Sequence, residues 1–250
     1  MSGILVDKPM KIRFSYLLPL FCAAFFWGCN PGSEQNGSTT RPDTTDGQPA
    51  AEASPPQEVE QERYIVFFGN SLTAGYGLDA SESFPTLIQH RLDSLGYAYK
   101  VVNAGLSGET TAGGNKRLDW VLERQPVDIF VLELGANDGL RGLNLDQTQQ
   151  NLEEMIDKVR AVYPQAEIIL AGMMVPPNLG QPYSSRFNEI FPAVAKKKAV
   201  TLLPFLLQDV AGEPSLNLPD RIHPNAEGQK LVARNVWQVL EQIIVEQQRG

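Results

Sequence analysis

The stretch Tyr64-Ile65-Val66-Phe67-Phe68-Gly69-Asn70-Ser71-Leu72-Thr73-Ala74-Gly75 decides the fold. Tyr64–Phe68 is a continuous apolar run with no alternation, which marks a strand covered on both faces and ended by Gly69. A helix is expected next, with Ser83 as N-cap, Pro85 in its first turn, an Ile88/Leu92/Leu95 stripe and Gly96 as its stop. Further along, apolar runs at Tyr99–Asn103, Ile129–Leu134, Ile168–Met173 and Thr201–Leu203 read as four more strands. Helical segments separate them. One lies near Arg117–Arg124, and the strongest is capped by Asp146, faced by Leu152, Met155, Ile156, Val159 and Val162, and ended by Pro164. Another spans Phe187–Lys198 with a break or kink at Pro192, and the last runs from Ala226 to Val245. Strand–helix alternation with apolar strands predicts a three-layer, doubly wound α/β sandwich. Its five-stranded sheet is expected to be mainly parallel, with flavodoxin-like strand order. No internal repeat is visible.

In such sheets ligands bind beyond the C-terminal strand ends, and the unusual residues of this chain collect there. After the first strand comes Gly69-Asn70-Ser71-Leu72-Thr73-Ala74-Gly75-Tyr76-Gly77, and after the second Asn103-Ala104-Gly105-Leu106-Ser107-Gly108-Glu109. After the third comes Gly135-Ala136-Asn137-Asp138-Gly139-Leu140-Arg141, and before the last helix Asp220-Arg221-Ile222-His223-Pro224-Asn225. These four segments, in this order, resemble the signature blocks of the SGNH (GDSL-like) hydrolases. The resemblance covers essentially residues 64–245 and is closest to the arylesterase and thioesterase/lysophospholipase branch.

A serine hydroxyl needs a base to become a nucleophile, and histidine is the usual one near neutral pH. The chain has two histidines. His90 falls on the polar face of its helix, which leaves His223, held just before the last helix by the restrained His223-Pro224 bond. Asp220, three residues earlier, can reach the imidazole, fix its tautomer and stabilise its charged form. Ser71, Asp220 and His223 are therefore the expected catalytic triad. The resemblance implies three oxyanion donors, namely the backbone N–H groups of Ser71 and Gly108 and the side-chain amide of Asn137. Taken alone, Gly108 could merely make a turn and Asn137 could cap the helix after strand three, a role open equally to Asp138. Thr73 stands where the G-x-S-x-G elbow has its second glycine, which argues against the α/β-hydrolase class. Two features depart from expectation. Asn70 replaces the aspartate of the usual G-D-S-L block, and Glu133 places a carboxyl in an apolar strand, where it is expected to reach a partner near the sheet end.

The N-terminus reads as an address. Lys11 and Arg13 precede an uncharged apolar run, Phe14–Trp27, too short for a bilayer span and ended by Gly28-Cys29. Residues 1–29 are expected to be a lipoprotein-type signal with Cys29 lipidated, although Phe26 and Trp27 are unusual before such a cysteine. The alternative is an ordinary cleaved signal with an incidental cysteine. Met10 is a second candidate start. Residues 30–62, rich in Ser, Thr, Gly, Pro, Gln and Glu, are expected to be a disordered spacer between membrane and the 63–250 domain.

The formal charge is −8, and loss of residues 1–28, with Lys8, Lys11 and Arg13 against Asp7, would make it −10. An acidic chain without a basic stripe is a poor nucleic-acid binder. Lys196-Lys197-Lys198 reads as a solvated helix end. Both cysteines, Cys22 and Cys29, precede the domain, which excludes an internal disulfide or a cysteine-based zinc site there. The resemblance implies hydrolysis of short-to-medium acyl esters, thioesters or lysophospholipids with no metal or cofactor; the chain is expected to be a monomer, anchored in the cell envelope by its N-terminal segment. Met174, Val175, Pro177, Leu179 and Tyr183 are candidate lining for an acyl or aryl pocket, or belong to an ordinary loop. The rival functions are a carbohydrate O-deacetylase, a non-catalytic envelope binding protein and, last, a flavodoxin-like nucleotide binder.

Overall fold

Strand β1 (Arg63–Gly69) runs between β2 (Tyr99–Gly105) and β3 (Ile129–Glu133), followed outward by β4 (Glu167–Ala171) and β5 (Thr201–Leu203). The computed structural model describes residues 62–249. The expected signal segment with Cys29, and residues 30–61 of the expected spacer, lie outside the described residues. All four strand pairings are parallel, in the order β2-β1-β3-β4-β5. This is the expected flavodoxin-like order, with its switch point between β1 and β3.

The seven α-helices among the described residues are α1 (Ser71–Ala74), α2 (Phe84–Leu95), α3 (Thr111–Leu122), α4 (Ala136–Leu140), α5 (Leu145–Val162), α6 (Gln181–Lys198) and α7 (Ala226–Arg249). Helix α2 packs with α7, while α5 packs with α3 and α6, giving a helical layer on each face of the sheet. Ile65, Val66, Phe67 and Phe68 are completely buried, as are Ile129–Leu132, because parallel strands covered twice have no solvent face. Each fully buried side chain of this size contributes about 1.5–3 kcal/mol relative to exposure.

Element order matches the sequence reading, and the differences lie at the ends. Helix α5 is capped by Asn144, whose side chain accepts from Gln147 N–H, so Asp146 sits inside the first turn instead. Val162 and Leu95, expected on apolar stripes, are exposed at the last turns of their helices. Helix α3 starts six residues early because Thr110 caps it by accepting from Gly113 N–H. Helix α6 starts at Gln181 and is not interrupted at Pro192. Phe187, Ile190, Phe191, Val194 and Ala195 are buried on both sides of the proline and hold the helix against its missing hydrogen bond. The lysine run ends α6 as expected, but it is not wholly solvated: Lys197 pairs with Glu153 and Lys198 with Asp157 on α5.

Close approach of α1 to β2 positions the first strand-end loop. A Cβ on Gly105 would strike the backbone of Ala74 and Thr73, so only glycine lets the short helix lie on this strand. Leu106 N–H donates to Gly69 O, and the Asn103 side-chain amide donates to Thr73 O, fastening the two loops together. Gly105→Ala is expected to destabilise the fold by about 1–3 kcal/mol and to lower its urea midpoint. An unchanged midpoint would mean that α1 can lift from β2 without cost.

Candidate active site

Asn70 turns the chain out of β1. Its Oδ1 accepts from Leu72 N–H at 3.0 Å and caps α1, so Ser71 becomes the first residue of a one-turn helix closed by Gly75 in the left-handed region. A first helical residue has no carbonyl four residues back inside its helix, and the Ser71 N–H has no partner among the described residues. The side chain of Asn70 also lies 3.4 Å from Ser71 Oγ.

The histidine arrives from the far end of the chain. His223 Nε2 is 2.9 Å from Ser71 Oγ, and His223 Nδ1 is 2.7 Å from Asp220 Oδ2. The other carboxylate oxygen, Asp220 Oδ1, accepts from the N–H groups of Ile222 and His223. Burial raises the Asp220 pKa, but these two backbone donors, the histidine ring and its charge outweigh it and bring the pKa down to about 2. Arg221 takes a positive φ of 61° to close this turn. Leu218 N–H donates to His223 O at 2.7 Å, and the Asn217–Pro224 bridge clamps the base of the loop. Asn225 then accepts from Gly228 N–H and caps α7. His90 is exposed, as the helical reading expected.

Of the three expected oxyanion donors, Ser71 N–H belongs to this pair, and Gly108 and Asn137 stand on the loops after β2 and β3. Gly108 has φ +81°, and its N–H has no partner among the described residues. Its carbonyl accepts from Arg141 Nη2 at 3.0 Å. Asn137 Nδ2 donates one hydrogen to Glu109 O, which fixes the amide and leaves its second hydrogen unused. Asn137 does not cap α4, and neither does Asp138. The cap position is Gly135, which has no side chain to offer. Asp138 is buried and accepts from Thr111 N–H, Thr111 Oγ1 and Thr148 Oγ1, tying α4 to α3 and α5.

Several supporting residues were not assigned a role in the sequence reading. Arg117 forms a two-pronged pair with the buried Glu109 carboxylate, donates to Ala104 O and lies over the Phe68 ring, which holds the loop carrying Gly108. Tyr76 lies with its ring centroid 4.5 Å from that of His223. Neither has a sequence signal beyond proximity to a block. Glu133 did have one, as a lone carboxyl in an apolar strand, and it reaches the expected partner. Its Oε2 accepts from Asn70 N–H at 3.0 Å and Thr73 Oγ1 at 2.8 Å, and its Oε1 accepts from Asn70 Nδ2 at 2.8 Å. Burial pushes this carboxyl up to about 7 against the lowering effect of those hydrogen bonds.

The expected apolar lining is only partly available. Met174 and Leu179 are exposed, but Val175 is buried beside Gly139, and Tyr183 Oη donates to Leu143 O. Pro177 starts a short 3-10 turn. Exposed Leu106, Leu140, Leu143 and Ile222 stand on the other strand-end loops. No group of three or more metal-ligating His, Cys, Asp or Glu side chains occurs among the described residues. A separate cavity of about 850 Å³, lined by residues such as Arg63, Tyr99, Asp128 and Tyr163, opens at the opposite end of the strands, away from Ser71.

A Ser–His–Asp hydrogen-bonded chain beside free N–H groups, at the switch point of a parallel sheet, is the arrangement of a serine-type ester hydrolase. Residues 67–231 match the GDSL-like lipase/acylhydrolase family, and the chain belongs to that family as a carboxylic-ester hydrolase of SGNH type. Esterase TesA of Pseudomonas aeruginosa is 41% identical over 180 residues, covering 72% of this chain and 89% of that protein. Thioesterase 1/protease 1/lysophospholipase L1 of Escherichia coli K12 is 37% identical over 169 residues, covering 68% and 79%. The crystal structure of the psychrotrophic esterase EstA from Pseudoalteromonas sp., inhibited by monoethylphosphonate, superposes with a TM-score of 0.69. It is 33% identical and covers 73% of this chain and 98% of its own.

The raised Glu133 pKa makes stability depend on pH with a definite sign. Between 4.5 and about 7 the folded chain binds a proton that the unfolded chain has released. The contribution of this group is complete below its unfolded pKa and is lost as pH rises through about 7. Denaturant midpoints measured between about pH 5 and 8 are expected to fall with rising pH, and Glu133→Gln to flatten that slope. Equal slopes in both proteins would place the dependence elsewhere.

Proposed function

We propose that this esterase hydrolyses short-to-medium acyl esters, of arylester, thioester or lysophospholipid type, through an acyl-enzyme on Ser71. The observation that carries this reading is the unbroken chain Asp220–His223–Ser71, with contacts of 2.7 and 2.9 Å. His223 Nε2 takes the hydroxyl proton as Ser71 Oγ attacks the ester carbonyl carbon. Asp220, anionic with its pKa near 2, holds Nδ1–H and stabilises the imidazolium that forms. The carbonyl oxygen becomes an oxyanion facing the Ser71 and Gly108 N–H groups and the free hydrogen of the Asn137 amide. His223 then returns its proton to the departing alkoxide or thiolate, and the acyl group stays on Ser71. Water attacks the acyl-enzyme with His223 again as base, releasing the acid and restoring the serine hydroxyl. The names of the relatives, an esterase and a thioesterase/lysophospholipase, support this substrate class, as do the exposed apolar side chains Leu106, Leu140, Leu143 and Ile222 on the strand-end loops.

The same proposal includes export and a lipid anchor on Cys29. Its support is the basic start, the short apolar run and the long polar spacer that follows. A Cys29→Ser form is expected to move from the detergent phase to the aqueous phase in Triton partitioning. Unchanged partitioning would remove the anchor from the proposal.

Hydrolysis of p-nitrophenyl esters of increasing chain length tests the activity. Ser71→Ala is expected to lose at least about 10⁴-fold in kcat and all labelling by a fluorophosphonate, while Asn137→Ala loses about 10²–10³-fold. A peak at acetyl esters with none at longer chains would favour the deacetylase function. Labelling that survives in Ser71→Ala would move the nucleophile to another residue.

A further inference from the structure

The tip of the loop after β2 has little packing of its own. Leu106, Ser107 and Gly108 are all exposed, and the Gly108 N–H is an expected oxyanion donor. Leu106 N–H is fastened to Gly69 O before the tip, and Glu109 after it is buried and paired with Arg117. Glu109 N–H closes a turn on Leu106 O, with Gly108 in the left-handed region at φ +81°. Glycine tolerates that conformation and many others, so the turn alone does not fix where its N–H points.

Helix α4 supplies the missing support. Its base is held firmly, because Asp138 is buried and accepts from Thr111 and Thr148 on two neighbouring helices. One turn of chain then takes both carbonyls that follow the donor. Arg141 Nη2 donates to Gly108 O at 3.0 Å, and Asn137 Nδ2 donates to Glu109 O at 3.0 Å. Asn137 and the C-cap residue Arg141 are four residues apart and neighbours on one face. The same Arg141 nitrogen lies 3.5 Å from Asn137 Oδ1, a longer and weaker contact. The Asn137 amide is thereby held at both ends, oxygen toward Arg141 and nitrogen toward Glu109, which sets the direction of its free hydrogen. Among the described residues Arg141 has no carboxylate partner, so these two oxygens are what orient its guanidinium.

We propose that Arg141 is a positioning residue of the oxyanion hole, holding the Gly108 N–H and the Asn137 amide at a fixed spacing. The proposal rests on Ser71 being the nucleophile. Without Arg141, Gly108 O turns to water and the tip is free to shift against α4, while Asn137 keeps only its contact with Glu109. Both donors remain present, but their aim at a developing oxyanion loosens, and a displacement of about 1 Å at such a site can cost about 10²-fold in rate. A ground-state ester carbonyl demands less of that aim than the transition state does, so the loss falls on kcat more than on KM.

Arg141→Met keeps an apolar stem and removes the donors. For the purified full chain, kcat and KM on neutral p-nitrophenyl esters are measured in this variant, in Asn137→Ala and in the double variant, beside the urea midpoint. Arg141→Met is expected to lower kcat about 10–100-fold, with KM and midpoint changed little. Inhibition by an alkyl trifluoromethyl ketone is expected to weaken by a similar factor. Ser71 Oγ adds to the ketone carbon, His223 takes the hydroxyl proton, and the ketone oxygen becomes an oxyanion in the same hole. The double variant is expected to lose clearly less than the product of the two single losses, because Asn137 carries part of the effect of Arg141. Fluorophosphonate labelling of wild type, lost in Ser71→Ala, tests the underlying nucleophile separately. Unchanged kcat in Arg141→Met, undiminished ketone affinity, a loss confined to KM, a midpoint lowered enough to account for the loss, or losses that multiply in full would each overturn the proposal.

Discussion

At the end of β1, Gly69 faces Gly105 of β2 on one side and Glu133 of β3 on the other. Everything at the site follows from how little room this register leaves. The glycine at 105 lets α1 settle on β2, and the glycine at 69 admits the Glu133 carboxyl beside Thr73. The parallel pairing that creates the switch point thus also sets the distance between the serine turn and the loop bearing Asn137. A hydroxyl must be held within about half an ångström to act on a bound carbonyl, and sheet pairing is among the stiffer ways to hold it.

His223 is brought to this place by different means. Ser71 and His223 are 152 residues apart, so their contact depends on the whole sheet and on the last helix. Asp220 and His223 are three residues apart, and their geometry is set locally by the turn between them. Two backbone donors hold one carboxylate oxygen, and the other meets the imidazole. The acid–base half of the site is therefore prebuilt within a six-residue loop, and folding has only to dock that loop onto the serine. Clamping by Leu218 N–H and the Asn217–Pro224 bridge limits how far the docked histidine can drift.

Much of this was legible in the sequence, for reasons that differ from residue to residue. Strands buried on both faces leave unbroken apolar runs, so β1 and β3 could be read to within a residue or two. The pairing of Ser71 with His223 was legible because few residue types can activate a hydroxyl and the chain holds only two histidines. Helix starts were less so. Asn144 and Asp146 are both good caps, and only the backbone decides that Asn144 is the one used. Continuity of α6 through Pro192 depends on tertiary burial of its apolar face, which local propensity does not contain. The roles of Arg117 and Arg141 were illegible because each acts on a carbonyl or carboxylate brought near by the fold and not by sequence spacing.

The two carboxyls closest to the chemistry show how one site sets them apart. Asp220 accepts three hydrogen bonds and Glu133 at least as many, so donor count does not explain their difference. Solvent does. Asp220 keeps contact with water and sits against a histidine that can carry charge, and its pKa falls to about 2. Glu133 is sealed in the sheet, with only neutral donors, and its pKa climbs to about 7. The first remains anionic at any pH where an ester hydrolase works, as stabilising an imidazolium requires. The second keeps its proton to a higher pH because burial outweighs the neutral donors that surround it.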